Sequence, residues 1–97
     1  MKEIVWDLET TGLDYNIDKI VQYTFMDCNS GETISSYVNP LHPMTSEASK
    51  ITGITDSKLQ DKQPFSTHAQ SILDFIFQNK NKNKNKIKIT IQKILFI

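Results

Sequence analysis

Asp7 and Glu9 stand two positions apart in an apolar run that begins at Ile4, and the chain continues as Thr10-Thr11-Gly12-Leu13-Asp14. In a strand, side chains at i and i+2 leave the same face, so these two carboxylates stand side by side, roughly 7 Å apart along the chain. Two such anions repel each other, and left alone one of them holds its proton. A divalent cation removes that conflict, and hard carboxylate oxygens suit Mg²⁺ or Mn²⁺. The Thr-Thr-Gly-Leu continuation breaks the strand with a turn where backbone can approach a ligand closely. This is the pattern of half a metal-dependent phosphodiesterase site.

The elements that must position the pair are legible around it. Residues 2–8 read as a strand with Ile4, Trp6 and Leu8 on one face and Val5, Asp7 and Glu9 on the other. Residues 11–18 form a connection of turn residues, and 19–28 make a second strand rich in β-branched and aromatic residues. Asn29-Ser30-Gly31 signals a hairpin into a third strand over 32–39, which Pro40 ends. The simplest assembly is a three-stranded antiparallel meander. Ser46 opens a short helix that Gly53 stops, and Thr55-Asp56-Ser57 caps a second over 56–61. A longer helix is predicted over 66–78, capped by Ser66 or Thr67, with Ala69, Ile72, Leu73, Ile76 and Phe77 as its apolar stripe.

The composition changes at residue 79. All 11 acidic residues and five of the 11 lysines precede residue 80; six lysines and no acid follow it. Residues 79–86 repeat Asn-Lys and have nothing to bury, and 87–97 alternate Ile with polar residues before turning fully apolar. Taken at face value, 87–97 is a strand. The same residue types arise from an A/T-rich frame read out of register or past a lost splice boundary. The division expected is therefore 1–78 as the folded part and 79–97 as a disordered or artefactual tail. There is no arginine, and an acidic body argues against a basic, non-specific DNA-binding surface. A single cysteine, Cys28, excludes an internal disulfide. No signal peptide and no membrane-length apolar segment is visible, which implies an intracellular chain, cytoplasmic or nuclear, rather than a secreted one.

Asp7-Leu8-Glu9-Thr10-Thr11-Gly12-Leu13, followed at the expected distance by Ile51-Thr52-Gly53-Ile54-Thr55 and Pro64-Phe65, closely resembles the DEDD superfamily of 3′–5′ exonucleases. Within it, the chain is most similar to the DnaQ-like type, that of the DNA polymerase III epsilon subunit. The resemblance covers about residues 1–77. It implies an α/β, ribonuclease H-like fold whose five-stranded sheet runs 3-2-1-4-5, here incomplete, with the meander and helices present and the later strands missing. It implies Asp7 and Glu9 as catalytic residues and as the first two of four acidic ligands to two Mg²⁺ or Mn²⁺ ions. Thr10, Thr11, Gly12 and Leu13 would border the terminal nucleotide, with Leu13 wedged against the last bases of a frayed single-stranded 3′ end of DNA or RNA. The implied partners are such ends and a DNA polymerase.

Two further aspartates belong to the resemblance, one in a His-Asn-x-x-Phe-Asp block and one in His-x4-Asp or Tyr-x3-Asp. Neither follows residue 77. Tyr23-Thr24-Phe25-Met26-Asp27 satisfies the last pattern too early in the chain and reads as a packed strand; His42 reads as a surface residue and His68 as a solvated or lightly packed one. The expectation is a two-metal 3′–5′ exonuclease scaffold that carries half its ligands and is inactive alone. The alternative is a degenerate module that binds nucleic acid or a polymerase without cutting. A first strand with a free edge would lower stability, unless residues 87–97 occupy the fourth-strand position.

Overall fold

The computed structural model describes residues 2–14, 16–77 and 87–93. Four strands form one sheet: β1 (Lys2–Thr10), β2 (Ile20–Asp27), β3 (Thr33–Tyr37) and β4 (Ile87–Lys93), in the order β3-β2-β1-β4. The first three make the expected antiparallel meander, with Trp6 opposite Phe25 and Phe25 opposite Ile34. Its hairpin is built by Asp27, whose Oδ1 accepts the N–H groups of Asn29 (2.8 Å) and Ser30 (3.4 Å), while Gly31 takes a left-handed φ of 83°.

β4 takes the fourth-strand position that the sequence left open to residues 87–97. It pairs in parallel with β1, Ile89 opposite Ile4 and Ile91 opposite Trp6. The sheet order thus reproduces the first four positions of 3-2-1-4-5, and β1 has no free edge. The physical reason is plain: β1 offers an unsatisfied row of backbone N–H and C=O groups, and an alternating β-branched segment can pair with it. The Asn-Lys tract over 79–86 and the apolar end over 94–97 lie outside the described residues.

Three helices complete the chain: α1 (Ser46–Thr52), α2 (Asp56–Leu59) and α3 (Phe65–Phe77). Ser46 opens α1 as expected, and Thr45 caps it, its Oγ1 accepting the Ala48 N–H at 3.0 Å; Gly53 ends it at φ 77°. Thr55 caps α2 as expected, but that helix stops at Leu59 rather than 61. α3 starts one residue early. The Pro64 carbonyl accepts the Thr67 N–H at 3.0 Å, so Ser66 and Thr67 lie inside the first turn instead of capping it.

Ile4, Leu8, Tyr23, Phe25 and Val38 meet Ile72, Phe75 and Ile76 of α3 in one core cluster, with Trp6 packed against it. A second cluster joins Val21 to Met44, Ala48, Ile54 and Leu59 around α1 and α2. The buried stripe of α3 differs from the predicted one: Leu73 (49 % exposed) and Phe77 (40 %) turn out, and Phe75 turns in. His68 lies on the same side of the helix as the buried residues. Its Nδ1 is 3.0 Å from the Tyr23 hydroxyl and its ring meets Tyr23 edge-on, so His68, Ile72, Phe75 and Ile76 form the facing row.

Candidate active site

β1 divides its side chains by parity. Ile4 and Leu8 are core, while Val5, Asp7 and Glu9 belong to neither core cluster and stand opposite Met26, Thr24 and Gln22 of β2. The two carboxylates therefore share the second face of the sheet, half-buried. Beside them on this face the Thr24 and Ser35 hydroxyls meet across β2 and β3 at 2.9 Å, with Val5, Met26 and Tyr37 further out. The pair also lies between two irregularities of the ladder. The β1–β4 register slips between Trp6 and Asp7, and the β1–β2 register slips between Glu9 and Thr10. Bulges of this kind re-aim side chains and end pairing beside active sites.

Asp7 Oδ1 is buried and receives no hydrogen bond among the described residues. A buried carboxylate oxygen without a donor is costly, and a divalent cation is the partner its chemistry suits. The residues thus fit a metal ion. Among the described residues, no group of three or more His, Cys, Asp or Glu is placed to hold one, so the pair stands by itself.

Beyond Glu9 the loop is tied down. Thr10 Oγ1 donates to the Gly12 carbonyl at 2.6 Å. Thr11 is fully buried: its N–H donates to the Lys19 carbonyl (2.8 Å), its carbonyl accepts the Thr45 N–H (2.9 Å), and its hydroxyl donates to Asp18 Oδ1 (2.6 Å) while accepting the Lys19 N–H (3.0 Å). The other oxygen of Asp18 accepts the Asp14 N–H at 2.9 Å. These bonds, the Thr11 hydroxyl foremost, hold the Asp18 carboxyl below its ordinary pKa against the opposing effect of burial, with a further pull from His42. Gly12 lies so close that a Cβ there would come within 2.5 Å of Asp18 Oδ2 and 2.9 Å of Thr45 Cγ2. Leu13 stands outward, 46 % exposed.

The sequence-predicted residues thus lie along one strand end and its loop: Asp7 and Glu9 on one face, then Thr10 folded onto Gly12, Thr11 turned inward and Leu13 outward. Sequence reasoning did not single out Asp18 and Thr45, which hold that loop. In a run of turn residues neither carries a signal beyond turn formation or capping. Tyr23 and Asp27 stand opposite Leu8 and Ile4, away from the carboxylate face. His68, read from sequence as solvated or lightly packed, is instead bonded to Tyr23, whose hydroxyl burial pushes above its ordinary pKa. A cavity of about 470 Å³ opens between the start of β2, Val38–Leu41 and the first residues of α3, but neither Asp7 nor Glu9 lines it.

The sequence profile of the exonuclease family typified by RNase T matches residues 4–93. The PolC-type DNA polymerase III of Streptococcus pyogenes serotype M2 (strain MGAS10270) is 33 % identical over 75 residues, which cover 74 % of this chain and 5 % of that protein. The PolC-type enzyme of serotype M5 (strain Manfredo) is 32 % identical over the same length. The chain therefore spans a small fraction of these curated relatives. Among solved structures, the nuclease domain of 3′hExo, a DEDDh family member bound to rAMP, aligns with a TM-score of 0.70 at 18 % identity, over 93 % of this chain and 50 % of that one. Exonuclease X in complex with 5′ overhanging duplex DNA aligns with a TM-score of 0.64 at 26 % identity, over 72 % and 42 %. With the profile spanning nearly all of the described sheet and the Asp-x-Glu pair at the end of its first strand, the chain belongs to the exonuclease family, in the DnaQ-like branch of the ribonuclease H-like fold.

Proposed function

We propose that this chain provides the first half of a 3′–5′ exonuclease centre. In this reading Asp7 and Glu9 hold Mg²⁺ or Mn²⁺, and the substrate is a single-stranded 3′ end of DNA or RNA. The observation that carries the reading is the placement of both carboxylates on one sheet face, with Asp7 Oδ1 buried and lacking a proton donor. Bound divalent ions would supply charge stabilisation for phosphodiester hydrolysis. The chain's own residues bind and orient. Asp7 and Glu9 fix the cation side of the site, and β1 positions them, Asp7 paired on both edges and Glu9 paired with β2. The Thr10–Leu13 loop borders the terminal nucleotide. Leu13 offers an apolar surface to the last bases, while the Thr11 hydroxyl, already engaged by Asp18 and Lys19, shapes the loop from within.

No acid follows Asp74, and among the described residues no group of three or more His, Cys, Asp or Glu is placed to hold a metal ion. The 97 residues alone are therefore expected to bind the cation weakly and to hydrolyse negligibly. The PolC-type relatives support a DNA polymerase as the setting in which such a centre works. No helix among the described residues is long and apolar enough to cross a membrane, and a setting inside the cell, beside a DNA polymerase, is part of this proposal.

Calorimetric titration of the chain with Mn²⁺, beside Asp7→Ala and Glu9→Gln, tests this. Binding that either change abolishes supports the reading, and binding indifferent to both refutes the site. Shortening of a 5′-labelled oligonucleotide from its 3′ end by the chain alone would refute the half-site assignment.

A further inference from the structure

We infer that Asp18 is a positioning residue for the nucleotide-facing loop: it clamps Gly12-Leu13 from both sides and thereby sets where Leu13 meets the substrate. The inference rests on the proposed function and adds to it a residue from outside the Asp-x-Glu-Thr-Thr-Gly-Leu run.

Chain geometry poses the problem. β1 ends at Thr10 and β2 begins at Ile20, and the β1–β2 ladder has already slipped at Glu9/Thr10. The segment between must return without the ladder's help, and it is rich in residues that accept many conformations. Asp18 supplies the missing order. One carboxylate oxygen receives the Thr11 hydroxyl before Gly12-Leu13 in the chain; the other receives the Asp14 N–H just after it. The Asp18 N–H closes the turn on the Asp14 carbonyl at 2.7 Å. The absent Cβ of Gly12 leaves the space the carboxylate occupies. Both ends of the dipeptide are thus bound to a single side chain, in charge-assisted bonds that are stronger than neutral ones.

The side-chain bonds of the clamp go to Thr11 and Asp14, beyond the cation pair in the chain. Asp7 is placed by strand pairing on both edges of β1 and Glu9 by its pairing with β2. Releasing the clamp should therefore weaken nucleotide binding and leave cation binding alone, a separation that a general loss of folding does not produce.

The test measures two affinities of the full chain: Mn²⁺ by calorimetry, and a fluorescent single-stranded oligothymidylate with a free 3′ hydroxyl by anisotropy, with and without Mn²⁺. Asp18→Ala is expected to weaken the oligonucleotide by about tenfold, the worth of one charge-assisted bond, with Mn²⁺ affinity unchanged. Asp18→Asn keeps an acceptor for Thr11 but faces the Asp14 N–H with a donor, and should fall between. Equal oligonucleotide affinity in Asp18→Ala and the parent overturns the inference. So does a proportional loss of both affinities, and so does a parent chain that binds no oligonucleotide under either condition. A parent that binds the oligonucleotide but no Mn²⁺ defeats the metal site of the proposed function instead, and the comparison at Asp18 still decides the clamp.

Discussion

Gly12→Ala is the smallest change that tests how the loop is built. A methyl group at this position would lie 2.5 Å from Asp18 Oδ2 and 2.9 Å from both Asp18 Cγ and Thr45 Cγ2. The carboxylate must move, and with it the acceptors of the Asp14 N–H and the Thr11 hydroxyl. Thr45 cannot yield instead without disturbing the bond from its N–H to the Thr11 carbonyl and its cap on α1. Hydrogen bonds to a charged group contribute about 1.5–3 kcal/mol each when buried, and partial exposure of Asp18 brings each nearer to about 1 kcal/mol. Against a loss of about 2 kcal/mol, alanine returns about 0.5 kcal/mol by restricting the unfolded chain. The net destabilisation of about 1.5 kcal/mol lowers the melting temperature of a domain this size by about 6–12 °C. Gly31→Ala is the comparison: nothing lies within 4 Å of its Cβ position, but its φ of 83° is strained for any L side chain. It should also lower the melting temperature, while leaving amide-exchange protection at Thr11 and Asp14 intact. Thermal denaturation followed by circular dichroism, with amide exchange on both variants, decides the matter. A Gly12→Ala protein that melts with the parent and keeps protection at Asp14 would show that the clamp is not held as described.

The orientation of α3 predicts an asymmetry between neighbours: Ile72→Ala should cost about 2–5 kcal/mol in urea denaturation and Leu73→Ala well under that, since the first is buried and the second half exposed. Tyr23→Phe removes the partner of His68 Nδ1 and should destabilise by about 1 kcal/mol, read in the same experiment. The depressed carboxyl of Asp18 gives a pH signature. Its contribution is present above the unfolded carboxylate value of about 3.9 and is lost as pH falls through the lower folded value, so the stability gap between the parent and Asp18→Asn should hold from neutrality to about pH 5 and close in stronger acid.

Much of this was legible in the sequence because strand parity is a two-state signal. Once residues 4–9 are read as a strand, the assignment of Ile4 and Leu8 to the core and of Asp7 and Glu9 to the other face follows, and the structure keeps it. Capping chemistry located α2 at Thr55 and the end of α1 at Gly53 for the same reason: each cap is a local interaction. The rest was non-local. The rotation of α3 is fixed by what it meets on the sheet, the core residues of β1 and β2 and the contact between His68 and Tyr23, 45 residues apart, and no periodicity within the helix distinguishes Phe75 from Leu73. The role of β4 depends on an edge of β1, at the opposite end of the chain. Asp18 was passed over because its function is to join Thr11 to Asp14, and a residue that organises a loop looks in sequence like any other turn former.

The parity of β1 also explains how stability and chemistry are kept apart here. The β1 residues that meet the α3 cluster, Ile4 and Leu8, carry no part of the candidate site, whereas Asp7 and Glu9 on the other face of β1 belong to neither core cluster. Replacing Asp7 or Glu9 therefore takes no residue from either core cluster. A shift of β1 by one residue would do the reverse, driving both acids into the cluster around Phe25 and Ile72 and turning Ile4 and Leu8 outward. The two register slips sit outside that danger. One precedes Asp7 on the β4 side and the other follows Glu9 on the β2 side, so the Asp7–Thr24 and Glu9–Gln22 pairings between them stay in step. The irregularities of the sheet thus flank the pair without breaking the register on which the core depends.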